Sequence, residues 1–237
     1  MYVIRLKRLL LAACLTVTLT SAALLAARMF AGRQTLNPGG AARYTLIIDA
    51  GHGGMDGGAS AADGTCEKNI NLSIAQRLNL LCGLLGAPCR MTRSEDVSLD
   101  YDSANTVREN KRADLAARLN TAQGASNPVF ISIHLNKFEQ PQYKGAQTFY
   151  SQNNPDGRIL AELVQAEFTS SLDRSNTRVA KPGEPSIYLL KNLKCPAVIA
   201  ECGFLSNPED HAALQQPEYQ KKAAYCIIKG YLKFLGA

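Results

Sequence analysis

Residues 44–54 read YTLIIDAGHGG, an apolar run that ends in a glycine-rich turn. A short aliphatic run closed by glycines is typical of a buried β-strand that leads into a tight turn. His52 stands inside that turn. The stretch therefore predicts the first strand of a folded domain and places a candidate metal ligand just beyond the carboxyl end of that strand.

Strand-like and helix-like patterns alternate along the rest of the chain. After the first strand, the predicted elements are a helix over 67–85, a strand over 89–92, a helix over 108–119, strands over 129–134 and 146–150, a helix over 158–172, a strand over 197–201 and a helix over 218–235. Such alternation is typical of α/β domains. We predict a single α/β domain over 44–237, with a mostly parallel twisted sheet flanked by helices on both faces.

An uncharged apolar segment, residues 9–27, precedes this domain and follows the basic residues Arg5, Lys7 and Arg8. As a helix its 19 residues would span ~28 Å, close to the hydrocarbon thickness of a bilayer. We predict that residues 1–27 form an N-terminal membrane helix, a signal-anchor, with 28–43 as a linker and the domain on the extracytoplasmic side. A cleaved signal peptide, which would give a secreted protein, is the alternative.

The charge of the chain is concentrated at its amino terminus. The formal net charge is +6, and residues 1–34 contain five basic residues and no acid, which leaves 21 basic against 20 acidic residues in the remainder. A nucleic-acid-binding domain needs a basic face on its folded part. The nearly neutral domain therefore excludes nucleic acid as an expected partner.

Polar residues with metal-binding chemistry follow the predicted strands. His52 follows the first strand, His134 ends another, and Glu67 begins the helix between them. Because ligands collect beyond the carboxyl ends of parallel strands, these side chains are expected on one rim. Two histidines and one carboxylate leave a fourth position of Zn²⁺ open for water, as hydrolysis requires. Glu201, at the end of a late strand, is then the candidate general base and acid.

Each of these residues also has an ordinary structural interpretation. A single histidine after a strand is more often a satisfied core or turn residue than a ligand, and Glu201 alone could be an exposed acid. The chain has seven cysteines without a CxxC pair, and most are expected to be small core residues. Because Cys66 and Cys202 flank Glu67 and Glu201, thiolate ligation of a metal stays open as a minor alternative.

Five motifs, in the same order along the chain, resemble those of the zinc-dependent N-acetylmuramoyl-L-alanine amidases of the amidase 3 type. They are IDAGHGGMDGGA at 48–59, EKN at 67–69 with Leu72, TR at 92–93, ISIHLN at 131–136 and ECGFLSNPE at 201–209. The resemblance implies one Zn²⁺ on His52, Glu67 and His134, with Glu201 as the catalytic acid and base. It also implies peptidoglycan as the substrate, cut at the amide between the lactyl group of N-acetylmuramic acid and L-alanine.

Two further residues of these motifs are candidate substrate-binding residues. Asn136 follows His134 by two positions, and Arg93 stands at a predicted strand end. They could orient a ligand or the substrate. A structural hydrogen bond for Asn136 and a salt bridge for Arg93 are equally acceptable interpretations.

Three shorter segments are similar to the sporulation branch of this family, the germination-specific amidases. They are KGAQTFYS at 144–151, RVAK at 178–181 and YLLK at 188–191. The resemblance implies a role in spore cortex maturation through muramic δ-lactam formation, in the intermembrane space of the forespore. It further implies an accessory protein or a deacetylase that acts in sequence with the enzyme. An ordinary sheet edge would explain the same segments.

Two other functions are compatible with the same residues. One is a different zinc peptidase that cuts the stem peptide of peptidoglycan. The other is a catalytically inactive wall-binding module, although such a module has no need to keep three metal ligands together with Glu201.

Overall fold

A computed structural model describes residues 44–236. Within this range no helix is both long and apolar enough to span a membrane. The predicted anchor or signal peptide over 1–27 and the linker over 28–43 lie outside the described residues.

A six-stranded sheet organises the domain, with strand order β2-β1-β3-β6-β4-β5. The strands are β1 Thr45–Ala50, β2 Cys89–Met91, β3 Pro128–Asn136, β4 Gln147–Tyr150, β5 Lys181–Pro182 and β6 Ala197–Phe204. The helices are α1 Glu67–Leu85, α2 Val107–Gln123, α3 Pro155–Glu167, α4 Tyr188–Asn192, α5 Pro208–Leu214 and α6 Pro217–Phe234, and a π-helical turn over Phe168–Leu172 extends α3.

The sheet is mostly parallel, as predicted, and a single antiparallel pairing makes it a mixed sheet. Strands β2, β1, β3 and β6 run parallel to one another, whereas β4 runs antiparallel to β6 and β5 follows the direction of β4. The cause is the connection between β3 and β4, the loop 137–146, which contains no helix. A parallel return needs a crossover of a dozen or more residues, so this shorter loop lets β4 start at the rim where β3 ends.

Helices cover both faces of the sheet, as predicted. Alternate residues of β1 separate into two cores: Leu46 and Ile48 belong to the larger one, and Ile47 belongs to the smaller one on the opposite face. Helices α1, α3 and α6 supply the larger core, and α2 and α4 supply the smaller one. This two-sided burial explains why β1 is almost continuously apolar in sequence.

Helix α1 begins and ends where its sequence predicts. Ile70, Ile74, Leu78 and Cys82 form its buried stripe, at the four-residue spacing of a helix face. The helix ends at Gly86, whose φ of 66° is the left-handed conformation that glycine adopts most easily. Glu67 is therefore fixed at the first turn, and α1 holds it at the rim of the sheet.

A buried ion pair joins β1 to α2 below the rim. Asp49 is fully buried and Arg118 is 2% exposed, and Arg118 Nη1 lies 2.5 Å from Asp49 Oδ1. The hydroxyls of Thr92 and Ser132 also donate to the Asp49 carboxylate. Asp114, one turn before Arg118 on α2, accepts from Arg118 Nε at 2.6 Å. Each charge of the pair is thus satisfied inside the protein.

Replacement of Arg118 by methionine should destabilise the fold by about 3–5 kcal/mol, because Asp49 would remain buried without its cation. The measurement is urea unfolding followed by circular dichroism. The matched control is Arg112→Met on the exposed side of the same helix, which should change stability by less than about 0.5 kcal/mol. Equal effects of the two substitutions would contradict this account of the ion pair.

Candidate metal centre

His52 is held in an uncommon backbone conformation directly after β1. Its φ is 62°, in the left-handed region that residues other than glycine rarely adopt. Its carbonyl oxygen accepts a hydrogen bond of 2.7 Å from Arg118 Nη2, and its Nδ1 lies 2.9 Å from Asp56 Oδ2. The backbone and one ring nitrogen are therefore fixed, and the other nitrogen, Nε2, faces Glu67 at 3.3 Å.

The carboxylate of Glu67 is held by both of its oxygens. Oε1 accepts from the backbone N–H of Leu135 at 2.9 Å and from Asn71 Nδ2 at 3.2 Å, and Oε2 accepts from the backbone N–H of Ala59 at 2.8 Å. Burial would raise the pKa of Glu67, but its hydrogen bonds with His134 and His52 outweigh burial and hold the pKa below its ordinary value. Glu67 is thus an ionised ligand at neutral pH.

His134 comes from β3 and completes a group of three. Its Nδ1 lies 2.9 Å from Glu67 Oε1. The other side of the ring packs on Gly51, where a Cβ atom would lie 2.3 Å from His134 Nε2. Gly51 must therefore lack a side chain, and the close backbone approach turns Nδ1 of His134 toward the centre.

The candidate ligand atoms of His52, Glu67 and His134 all lie within 4.8 Å of one another. Two imidazole nitrogens and one carboxylate oxygen are the donor set of hydrolytic zinc sites, which keep one position for water or substrate. The residues therefore fit a single Zn²⁺. In the metal-free protein, burial lowers the pKa of His52, but hydrogen bonds to Asp56 and Glu67 outweigh burial and raise the pKa to about 9.

Thiolate ligation finds no support in the geometry. Cys202 is fully buried in the larger core, and its Sγ lies 3.6 Å from the carbonyl oxygen of Ala200. Cys66 Sγ lies 3.5 Å from the carbonyl oxygen of Gly64. Within residues 44–236, neither sulfur belongs to a group of side chains that could hold a metal.

Glu201 stands beside the three candidate ligands on the neighbouring strand. It pairs with His134 across β3 and β6, so the two side chains lie on the same face of the sheet. Its Oε2 is buried and has no hydrogen-bond partner among the described residues. Burial, opposed by His134 and reinforced by Glu67, raises the pKa of Glu201 to about 7. A carboxyl group of this kind exchanges protons near neutral pH, as a general base and acid must.

The two candidate substrate-binding residues occupy different environments. Arg93 is 3% exposed, and it donates to four backbone carbonyl oxygens, those of Ala50, Gly51, Lys68 and Glu95. Arg93 thus fixes the loop that carries His52, which is a structural role, although through backbone bonds rather than a salt bridge. Asn136 ends β3 with a partly exposed side chain, and its substrate-binding role stays a prediction.

Asp56 is a functional candidate that the sequence reasoning missed. Besides its contact with His52, its carboxylate lies 3.3 Å from Lys111 Nζ. Metal-binding histidines usually donate their second ring N–H to a carboxylate, which fixes the ring orientation. An acid four residues after His52, inside the same glycine-rich loop, was the signal that could have identified it.

Comparisons with known proteins agree with this geometry. The Amidase_3 family model, described as N-acetylmuramoyl-L-alanine amidase, matches residues 46–233. The germination-specific N-acetylmuramoyl-L-alanine amidase of Bacillus subtilis (strain 168) is 35% identical over 189 residues, which cover 80% of this chain and 78% of that protein.

Solved structures show the same fold. The CwlD amidase of Clostridioides difficile, in complex with the GerS lipoprotein, is similar with a TM-score of 0.77 and 41% identity, over 81% of this chain and 98% of that one. The catalytic domain of CwlV, an N-acetylmuramoyl-L-alanine amidase from Bacillus (Paenibacillus) polymyxa var. colistinus, has a TM-score of 0.68 and 25% identity, over 81% and 98% of the two chains.

The substitution Gly51→Ala should weaken zinc affinity by at least about tenfold, because the new methyl group displaces the ring of His134. The measurement is competition of the purified protein with a chelator of known affinity. The control is Gly83→Ala on the exposed side of α1, where a Cβ atom would meet nothing within 4 Å. Unchanged affinity in Gly51→Ala would show that the ring contact does not position His134.

In metal-free protein, Glu201 should titrate near pH 7, because burial disfavours its carboxylate. Addition of Zn²⁺ should lower that pKa, since a nearby cation favours the ionised form. Infrared difference spectra between the wild type and Glu201→Gln isolate the carboxyl band. An ordinary pKa of about 4.3 in metal-free protein would contradict the assigned environment.

Proposed function

Because the chain belongs to the Amidase_3 family of N-acetylmuramoyl-L-alanine amidases, we propose that its activity on peptidoglycan depends on one zinc ion held by His52, Glu67 and His134. The observation that carries this proposal is the convergence of their ligand atoms within 4.8 Å. They come from a loop, a helix start and a strand, and Glu201 stands beside them. An inactive wall-binding module has no use for that combination.

A zinc ion bound by these residues would supply Lewis-acid chemistry, which polarises a carbonyl group and lowers the pKa of a water molecule. Glu201 accepts a proton from the attacking water, since its buried Oε2 has no partner that competes for the proton. The same carboxyl group then donates the proton to the nitrogen of the departing L-alanine.

The residues around the ligands keep this arrangement ready before substrate arrives. Asp56 orients the ring of His52, and Gly51 admits the ring of His134. Backbone N–H groups of Ala59 and Leu135 hold both oxygens of Glu67. A site fixed in this way requires little reorganisation during the reaction.

The finer biological role that we propose is maturation of the spore cortex. The similarity to the germination-specific amidase of B. subtilis supports this role, as does the similarity to CwlD of C. difficile. Removal of the stem peptide frees the lactyl carboxyl group, which an intramolecular amide, the muramic δ-lactam, requires. A deacetylase that frees the sugar nitrogen would then act in sequence with this enzyme.

The proposed setting of the enzyme is extracytoplasmic, because its substrate is the cell wall. The apolar residues 9–27, behind basic residues, support a membrane anchor or signal peptide, and in a sporulating cell the setting would be the intermembrane space of the forespore. CwlD of C. difficile is in complex with a lipoprotein. By analogy, we propose that an accessory protein binds this enzyme as well.

The substitution Glu201→Gln should lower the rate of peptidoglycan cleavage by about 10²–10⁴-fold while zinc remains bound, because the amide cannot transfer the proton. Mass spectrometry of digested sacculi, with metal content measured in parallel, is the test. The control Glu184→Gln changes an exposed acid and should retain full activity. Full cleavage by a zinc-loaded Glu201→Gln protein would overturn the proposed mechanism.

The same digestion separates the amidase from a peptidase that acts on the stem peptide. An amidase releases intact peptides with a free L-alanine amino terminus, whereas a carboxypeptidase releases D-alanine and leaves the lactyl amide intact. A chelator should abolish the first product, and added Zn²⁺ should restore it. Persistence of cleavage in metal-depleted protein would exclude the zinc site.

A further inference from the structure

Arg178 is a half-buried cation without an acidic partner. It forms no ion pair with any described residue, whereas Lys111 is paired with Asp56. The nearby carboxylate of Asp210 instead accepts from the backbone N–H groups of Gly145 and Phe204. A guanidinium that is partly removed from water and lacks a counter-charge is suited to an external anion.

The guanidinium of Arg178 is held in one orientation. Its Nε donates to the carbonyl oxygen of Lys144 at 2.7 Å, and its Nη1 donates to Gln147 Oε1 at 2.7 Å. The plane of the group lies over the ring of Phe204, with Cζ 4.4 Å from the ring centroid. Nη2 has no hydrogen-bond partner among the described residues. The contacts therefore fix the plane of the guanidinium and leave the N–H groups of Nη2 available to a ligand.

Gln147 connects this arginine to Glu201. It stands directly opposite Glu201 in the antiparallel pair of β4 and β6, so both side chains lie on the same face of the sheet. Gln147 is 3% exposed, and its Nε2 donates to the carbonyl oxygen of Val179. Arg178 therefore contacts the residue that lies beside Glu201 on the adjacent strand, about one strand spacing (~4.8 Å) away.

We propose that Arg178 binds a carboxylate on the peptide arm of the substrate, on the residue that follows the scissile L-alanine. This inference rests on the proposed function of the site and adds a specificity determinant to it. One extended residue spans ~3.3–3.6 Å, so the carboxylate of the second residue can reach the guanidinium while the scissile amide lies beside Glu201.

The test uses two soluble substrates that differ in one group. Both carry N-acetylmuramic acid joined to L-alanine and a second acidic residue, whose α-carboxyl group is free in one substrate and amidated in the other. With the full-length enzyme loaded with zinc, kcat and KM are measured for wild type, Arg178→Gln, Arg178→Lys and Arg174→Gln. Arg174 is an exposed arginine in the same loop, so its substitution removes the same charge.

The wild type should prefer the free α-carboxylate by about tenfold in kcat/KM, mainly through KM, as expected for a hydrogen bond to a charged group. Arg178→Gln should lose this preference and keep its activity on the amidated substrate. Arg178→Lys should recover part of the preference, because a lysine keeps the charge but not the planar guanidinium. Arg174→Gln should behave as the wild type.

Two results would overturn the inference and leave the amidase activity in place. One is equal cleavage of both substrates by the wild type, and the other is an equal loss for both substrates in Arg178→Gln, which would indicate a structural role. Thermal unfolding of each variant separates the second result from misfolding. Where the wild type cleaves only sacculi, the same comparison is made on sacculi with a free or an amidated α-carboxyl group on the second stem residue, and equal cleavage of the two overturns the inference. Failure on sacculi as well would contradict the proposed function itself.

Discussion

The ion pair between Asp49 and Arg118 is the constraint on which the site depends. Asp49 is the penultimate residue of β1, and Arg118 reaches it from α2. The same guanidinium binds the carbonyl oxygens of Ala50 and His52. Burial raises the pKa of Asp49, but Arg118 and the two hydroxyl donors outweigh it and hold that pKa below its ordinary value. The pair remains charged, and one side chain thereby sets the path of the loop that carries the first candidate ligand.

Around this loop, the positions of the ligands follow from backbone rather than from side-chain packing. His52 adopts a left-handed conformation that has an energetic cost for any residue with a Cβ atom, and its surroundings compensate that cost through Arg118 and Asp56. Gly58, with φ of 69°, would place a Cβ atom 2.6 Å from Glu67 Oε2. The metal centre is therefore compact because two glycines let the chain pass close to the ligands.

Much of this arrangement could be predicted from sequence because it is local. The helical periodicity of α1, the apolar run of β1 and the alternation of elements identified the domain, and the predicted strands brought His52, His134 and Glu201 to one side of it. The strand ends were predicted too early, because β3 continues to Asn136 and β6 continues to Phe204. What escaped prediction is set by pairing across the sheet. The direction of β4 depends on a loop without a helix, and the place of Gln147 beside Glu201 depends on register. Short elements such as α4 and β5 carry too few residues for a period to appear.

The two edge strands of the sheet determine how readily one copy of the protein could pair with another. β2 has three residues and β5 has two, and the last residue of β5, Pro182, has no N–H to offer. Arg90 on β2 and Lys181 on β5 are exposed charges. Short, charged edges of this kind give a second copy little backbone to pair with. An amidase that accumulates on the cell wall is thus protected from edge-to-edge pairing of its sheets with those of other copies.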